Sequence, residues 1–280
     1  MTSTPHPRRA WRNPGRSVRT DNTTEMAPEE HAEDLHRLID ALGVGAVDLF
    51  ASSGGAVNDL TLVTRHPEQV RTFVGHEPQL LDVLPDRDQA LAANEDIYAT
   101  YQVSGMGPAM AKFMAMTRYI GPLPETYGDL PDPDPAEFGL PAADADDGSR
   151  DDPLLGQNIR RCAAYQPDLD ALTRATTRIV IAAGKESEGQ LTARASAILA
   201  QHLGTELAIF PRHHAGFLVV SSVCTEIRRD SPRHSIKRSR LVDPSGRPAL
   251  ADIRSAPCGV IDHGLPRTAA GWIHRRSSRR

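Results

Sequence analysis

The sequence predicts an α/β protein in which helices flank a parallel sheet of about four strands. Short strand-like runs alternate with helical stretches, and this alternation is typical of βα units that share one sheet. The predicted strands are four short apolar runs, at residues 46–50, 72–74, 178–182 and 207–210. Because helical segments separate these runs, we expect the strands to lie parallel to one another.

The helices of this pattern have recognisable ends. Pro28 is followed by two glutamates and suits a helix start, while Gly43 comes directly after the last apolar position of the stripe. A second helix is predicted directly after the first strand and ends before Pro67. A third helix is predicted over residues 191–203, because its apolar residues recur at helical spacing.

Composition divides the chain into a folded middle and two atypical ends. The folded core is assigned to residues 28–78 and 176–222, and residues 79–175 form an insertion with helical spacing around a middle rich in Pro, Asp and Gly. Residues 1–27 are predicted to be disordered or a remnant. Residues 223–280 lose every amphipathic period and are predicted to be a basic, disordered tail.

The composition excludes several classes of protein. Hydrophobic residues make up 39% of the 280 residues and aromatic residues 5%, which is low for a chain packed along its whole length. No apolar run is long enough to span a bilayer, and the first twenty residues contain no apolar signal region. The three cysteines lie far apart, which predicts neither a disulfide framework nor a structural zinc site and favours a cytoplasmic location.

The formal net charge of −4 conceals two basic ends. Residues 1–20 carry five arginines and no acid, and residues 224–280 carry 13 Lys and Arg against five Asp and Glu. Basic arms of this kind can bind nucleic acid. The tail, however, contains a single Trp, no Tyr or Phe and no recognisable motif. The expected partner is therefore a small molecule, and binding to nucleic acid or to a membrane is not expected. The sequence does not indicate which oligomeric state the protein adopts.

The most informative stretch is residues 50–56, with the sequence FASSGGA. A strand runs into a tight turn and a helix follows at once, with small residues on both sides of Ser53. This is the layout of a nucleophile elbow, normally Gly-x-Ser-x-Gly, with Ala51 in place of the first glycine. The helix N-terminus beside the serine favours negative charge. A glycine-rich turn without any chemistry is the alternative interpretation.

A serine nucleophile needs a base, and the base needs a carboxylate that orients it. Two histidines, His213 and His214, follow the last predicted strand, and Glu186 and Glu188 follow the strand before it. Parallel strands end at one edge of the sheet, so these loops are expected to lie near the elbow. The chain order of serine, acid and histidine is the one expected of this architecture.

These segments resemble the α/β-hydrolase fold family, in particular bacterial hydrolases with a helical cap. The resemblance extends over residues 29–217 and also includes HPEQVR at residues 66–71 and GHEP at residues 75–78. It implies a partial α/β-hydrolase sheet, with residues 79–175 as the cap over the site. Five side chains of the insertion would then line an apolar pocket or pack the cap against the core: Met106, Met110, Phe113, Met114 and Met116.

The resemblance also implies the roles of individual residues. Ser53 would be the nucleophile, His214 the general base and Glu186 the acid, with Glu188 and Glu77 as alternative acids. The backbone N–H of Gly54 would donate to the oxyanion. The implied activity is that of a serine hydrolase acting on an ester or a similar small acyl substrate, without a metal or an organic cofactor.

The sequence departs from this family at both ends. Complete members have about eight strands and a loop that supplies a second oxyanion donor, whereas only 45 residues precede the first predicted strand. The chain is therefore expected to be truncated at its N-terminus and altered after residue 222, where a disturbed reading frame is one explanation. The alternative function is a catalytically impaired, non-enzymatic hydrolase remnant that lacks the N-terminal strands and the oxyanion loop.

Overall fold

The computed structural model describes residues 25–216 of the chain. Four parallel strands form one sheet in the order β1-β2-β3-β4. Their bounds are β1 Val47–Ser52, β2 Val70–His76, β3 Arg178–Gly184 and β4 Ala208–Phe210. The predicted α/β class, the parallel sheet and the number of strands are confirmed, although β2 and β3 each extend two residues further toward their carboxyl ends than predicted.

Three helices pack on one face of this sheet. They are α1 Pro28–Leu42, α2 Gly54–Arg65 and α7 Leu191–His202. Apolar residues of these helices and of the strands form one buried cluster that contains Leu35, Leu60, Phe73, Ile181 and Leu199. Burying a side chain such as Phe73 stabilises the fold by about 1.5–3 kcal/mol. The predicted end of α1 is confirmed, because Gly43 caps the helix with φ 62°.

The opposite face of the sheet carries a smaller apolar cluster. Successive side chains of a strand point to opposite faces, so Phe50, Val74, Ala182 and Phe210 lie together on the side away from the three helices. The rings of Phe50 and Phe210 lie nearly parallel, with their centroids 6.4 Å apart. Residues 217–280, which include the predicted tail, and residues 1–24 lie outside the described part of the chain.

The insertion between β2 and β3 is helical at both ends and irregular between them. Its first part contains α3 Arg87–Ser104 and α4 Met106–Arg118, which pack against each other. The middle contains only short 3₁₀ turns. The last part was predicted as helical over residues 155–172. It is divided into a π-helix Pro153–Asn158, α5 Ile159–Ala163 and α6 Leu169–Arg174. Pro167 lies in the gap before α6, where a continuous helix would lose a backbone hydrogen bond.

The insertion has its own apolar core, and that core includes part of α7. Ile97, Tyr101, Met116 and Leu155 are fully buried together with Leu191 from the first turn of α7. The insertion and the sheet domain therefore share a packed boundary. Among the helices in residues 25–216, none is both long and apolar enough to cross a membrane.

Candidate active site

Ser53 occupies the sharp bend between β1 and α2. Its backbone has φ 57° and ψ −131°, a conformation that non-glycine residues rarely adopt and that costs on the order of 1–3 kcal/mol. The Ser53 N–H donates to the carbonyl of His76 at 3.0 Å, and the Ser53 carbonyl accepts from the N–H of Ala56 at 3.0 Å. The sequence prediction of an elbow at this serine therefore agrees with the backbone geometry.

The N-terminus of α2 offers a backbone donor next to this serine. Gly54 is the first residue of the helix, so its N–H has no intrahelical acceptor, and no other acceptor reaches it within residues 25–216. A Cβ at this position would lie 3.6 Å from the buried Sγ of Cys162, which belongs to α5. Gly54 thus lies where the elbow meets the base of the insertion.

A buried carboxylate and a histidine meet at the same edge of the sheet. Glu77 follows the last residue of β2 and is fully buried, with φ 46°. Its Oε2 accepts a hydrogen bond from Nδ1 of His214 at 2.6 Å. His76, the last residue of β2, pairs with Ser52, the last residue of β1. Glu77 and Ser53 are therefore the next residues of the two neighbouring strands and lie side by side at the edge of the sheet.

Two further donors hold the Glu77 carboxylate. The N–H of Gly184 donates to Oε1 at 2.8 Å, and the hydroxyl of Thr192 donates to Oε2 at 2.8 Å. Burial by itself raises the pKa of this carboxyl, but the hydrogen bond and charge of His214 and the bond from Gly184 outweigh burial and lower the pKa to about 2. Glu77 is therefore ionised at neutral pH.

The loop that carries His214 is held against the end of β3. Arg212 has φ 71°, and its carbonyl accepts the N–H of Glu186 at 2.9 Å. A Cβ at Gly184 would meet that carbonyl oxygen at 2.5 Å, so the two segments approach closely only because residue 184 is glycine. This close approach fixes the position from which His214 reaches Glu77.

The structure does not bring the first-choice acid to the histidine. Glu186 and Glu188 are exposed, and within residues 25–216 their carboxylates make no hydrogen bond or ion pair. The physical reason is the place of each acid: Glu77 directly follows the inner strand β2, whereas Glu186 lies in the exposed turn after β3. The carboxylate that contacts His214 is Glu77, which the sequence offered only as a third choice. His213 is exposed, and its Nδ1 accepts the N–H of Ala215.

Sequence reasoning missed a second histidine at this edge. His76 is the last residue of β2 and is 1% exposed, and its Nδ1 lies 3.2 Å from Oγ of Ser52. Its ring centroid lies 5.6 Å from that of Phe210 and 6.0 Å from that of His214. Burial lowers the pKa of His76 to about 4, so this imidazole is neutral at pH 7. The strand pairing that aligns residues 52 and 76 is the only signal that could have revealed it.

The hydroxyl of Ser53 forms no hydrogen bond within the described residues, and neither does Nε2 of His214. The structure therefore joins His214 to Glu77 but does not join Ser53 to His214. In enzymes without bound substrate, catalytic hydrogen bonds are often long and tighten only in the substrate complex.

The five apolar residues predicted to line a pocket have different environments. Met110 and Met116 are buried in the core of the insertion, whereas Met106, Phe113 and Met114 are partly buried against that core. Met110 and Met116 therefore pack inside the insertion and do not line a pocket. Within residues 25–216, no group of three or more His, Cys, Asp or Glu side chains could hold a metal ion.

Comparisons with known proteins agree with this architecture. The chain is 27% identical over 215 residues to the uncharacterized hydrolase YraK of Bacillus subtilis (strain 168), a match that covers 72% of this chain and 69% of YraK. No protein-family model matches.

Two solved structures have TM-scores of 0.50 with this fold. One is MGS-M2, an α/β hydrolase enzyme from a Medee basin deep-sea metagenome library, at 20% identity over 74% of this chain and 71% of that protein. The other is the "putative non-heme bromoperoxidase BpoC" of Mycobacterium tuberculosis H37Rv, at 17% identity over 75% of each chain. Together with the sheet order and the bend at Ser53, these likenesses show that the chain has an α/β-hydrolase fold.

Proposed function

We propose that this protein is a serine hydrolase that cleaves an ester or a similar small acyl substrate, with Ser53, His214 and Glu77 as its catalytic triad. The name of YraK assigns that relative to the hydrolases, and MGS-M2 is described as an α/β hydrolase enzyme. The observation that carries the proposal is the hydrogen bond between the buried Glu77 and His214, beside a serine in a strained bend.

In the first half of the reaction, Oγ of Ser53 attacks the carbonyl carbon of the substrate and gives its proton to Nε2 of His214. The carbonyl π bond opens, and the negative charge on its oxygen is stabilised by the N–H of Gly54 at the N-terminus of α2. The tetrahedral intermediate then collapses. Its bond to the leaving group breaks, and the leaving oxygen takes the proton from Nε2 of His214, which leaves Ser53 acylated.

In the second half, water attacks the acyl carbon and gives a proton to His214. The bond between the acyl carbon and Oγ of Ser53 breaks, and the proton returns to that oxygen. Glu77 remains ionised throughout. Its charge stabilises the imidazolium that forms twice per turnover, and its contact with Nδ1 fixes the tautomer in which Nε2 is free to accept a proton.

Residues 79–175 are proposed to be a cap over this site. The support is that the insertion leaves the sheet directly after Glu77 and that Cys162 of α5 lies against Gly54. Of the five apolar residues predicted to line a pocket, Met106, Phe113 and Met114 are the ones that are not fully buried.

A fluorophosphonate probe tests the proposed nucleophile and acid together. We expect the probe to label the wild-type protein and the Ser52→Ala variant, but not the Ser53→Ala variant. Glu77→Gln should slow labelling by about 10²–10⁴-fold, because an amide supplies no negative charge and its NH₂ can donate to Nδ1 of His214, which favours the wrong tautomer. Glu186→Gln and Glu188→Gln are the matched controls and should label at the wild-type rate. Loss of labelling in Glu186→Gln but not in Glu77→Gln would contradict the assignment of the acid.

The alternative function, an inactive hydrolase remnant, predicts a different outcome. A wild-type chain that unfolds cooperatively but neither reacts with the probe nor cleaves p-nitrophenyl esters would overturn the proposal and support the remnant.

A further inference from the structure

Thr192 lies beside the proposed triad without being part of it. It is the second residue of α7 and is 5% exposed, and its hydroxyl donates to Oε2 of Glu77 at 2.8 Å. The same oxygen accepts the hydrogen bond from His214 at 2.6 Å. Two donors from different elements therefore compete for one carboxylate oxygen inside the protein.

The position of Thr192 makes its hydrogen bond to Glu77 electrostatically important. Glu77 is fully buried, so its charge depends on the few donors that reach it. Thr192 stands in the first turn of a 12-residue helix, whose N-terminus favours a nearby anion. The other carboxylate oxygen, Oε1, accepts only the N–H of Gly184 among the described residues.

We infer that Thr192 is a positioning residue that sets how strongly Glu77 holds the proton on His214, and thereby sets the pH range in which the base works. This inference rests on the proposed function. While the Thr192 hydroxyl occupies Oε2, it withdraws negative charge from the bond to His214. Without that hydroxyl, the charge on Oε2 is offered to the imidazole alone, and protonated His214 becomes more stable.

The elements around this pair also carry other titratable groups. They are His76 on β2, Arg212 and His213 in the loop of His214, Lys185, Glu186 and Glu188 after β3, and Arg194 on α7 with its partner Asp86. His76 is neutral at pH 7 because it is buried, and Arg194 is paired with Asp86. The side chains of Glu186, Glu188 and His213 are exposed. Thr192 is the only hydroxyl-bearing side chain of the described residues that donates to Glu77.

The test compares Thr192→Val, which removes the donor at similar volume, with Thr192→Ser, which keeps it. We expect the acid limb of the kcat/KM profile to move up by about 0.5–1 pH unit in Thr192→Val, because one hydrogen bond to a charged group is lost. Thr192→Ser should restore the wild-type profile. Ser196→Ala is the matched control: it removes a buried hydroxyl bond to the carbonyl of Thr192, one turn along α7, without touching Glu77.

A titration of the His214 imidazole by NMR separates this inference from the proposed activity, because it needs no turnover. An upward shift of its pKa in Thr192→Val but not in Thr192→Ser or Ser196→Ala supports the inference, even if the wild-type protein shows no hydrolysis. An identical His214 titration in all three variants and the wild type would overturn the inference while leaving the hydrolase proposal intact. If Thr192→Val does not fold, Thr192→Ala replaces it, and a wild-type titration curve of His214 in that variant likewise overturns the inference.

Discussion

At the scale of single residues, Asp59 is an unusual titratable group outside the site. It lies in the middle of α2 and is 6% exposed, and no hydrogen bond or ion pair reaches its carboxylate within the described residues. Burial raises the pKa of this carboxyl to about 7. Between the ordinary value of 3.8 and this value, the folded protein binds a proton that the unfolded chain has lost.

The free energy of unfolding should therefore fall as pH rises from about 4 to about 7, by an amount on the order of 4 kcal/mol. Asp59→Asn removes the ionisable group, so it should raise the stability by a few kcal/mol at pH 8 and change it little at pH 4. Urea unfolding at the two pH values measures both effects. Asp144→Asn, at an exposed position in the insertion, is the control. An equal effect of Asp59→Asn at both pH values would contradict the explanation.

The sequence alone predicts the bend at Ser53, but it does not identify the carboxylate that contacts His214. The small residues around position 53 directly encode a tight bend, so the elbow can be read locally. Glu77, Glu186 and Glu188 all follow strands, and all satisfy the chain order of serine, acid and histidine. The choice among them depends on β2 lying between β1 and β3, and this adjacency is a property of the sheet rather than of any local stretch.

At the scale of secondary-structure elements, the end of β3 and the loop of His214 form one unit. A Cβ at Gly184 would meet the carbonyl oxygen of Arg212 at 2.5 Å and backbone atoms of His213 at 3.0 and 3.1 Å. Gly184→Ala should therefore push the loop outward and displace His214. We expect kcat/KM to fall by at least about 10-fold, because a 1 Å misplacement of a catalytic group can lower the rate by about 100-fold. Gly128→Ala, where a Cβ meets nothing within 4 Å, is the control. Wild-type kcat/KM in Gly184→Ala would show that the loop tolerates displacement.

The elements themselves were largely predictable because their ends are encoded locally. Pro28 and Gly43 bound α1, and Pro67 follows the end of α2. The last part of the insertion was not predictable in detail. There Asp152 accepts hydrogen bonds from the N–H groups of Leu154 and Leu155, and a π-helix begins at Pro153. Apolar spacing alone does not distinguish this arrangement from a continuous α-helix.

At the scale of the whole molecule, an ion pair between the buried Asp86 and the partly buried Arg194 connects the insertion to the sheet domain. Arg194 of α7 contacts both carboxylate oxygens of Asp86, which precedes α3, and its guanidinium also donates to the carbonyl of Gly121 at 2.9 Å. Asp86 in turn accepts the N–H of Leu123 at 2.8 Å. The ion pair therefore holds the two ends of the α3–α4 region against the first turns of α7.

Removing one partner should cost more than removing both. Arg194→Met leaves the buried Asp86 charge without its cation and should lower the free energy of unfolding by about 3–5 kcal/mol. The double variant Arg194→Met/Asp86→Leu should recover part of that loss. Urea unfolding of the wild type, both single variants and the double variant measures the coupling. Strictly additive losses would contradict an interaction between these two side chains.

The burial of the acid at the end of β2 has a practical consequence for residues 185–190. This turn follows β3, the strand next to β2. Ser187 in the turn is buried, whereas Lys185, Glu186 and Glu188 extend into solvent. A cysteine introduced at position 186 or 188 would offer an attachment point for a fluorescent dye close to the bend. The fluorescence of such a conjugate should change when a ligand enters the site, and the dye would be attached outside the proposed triad of Ser53, His214 and Glu77.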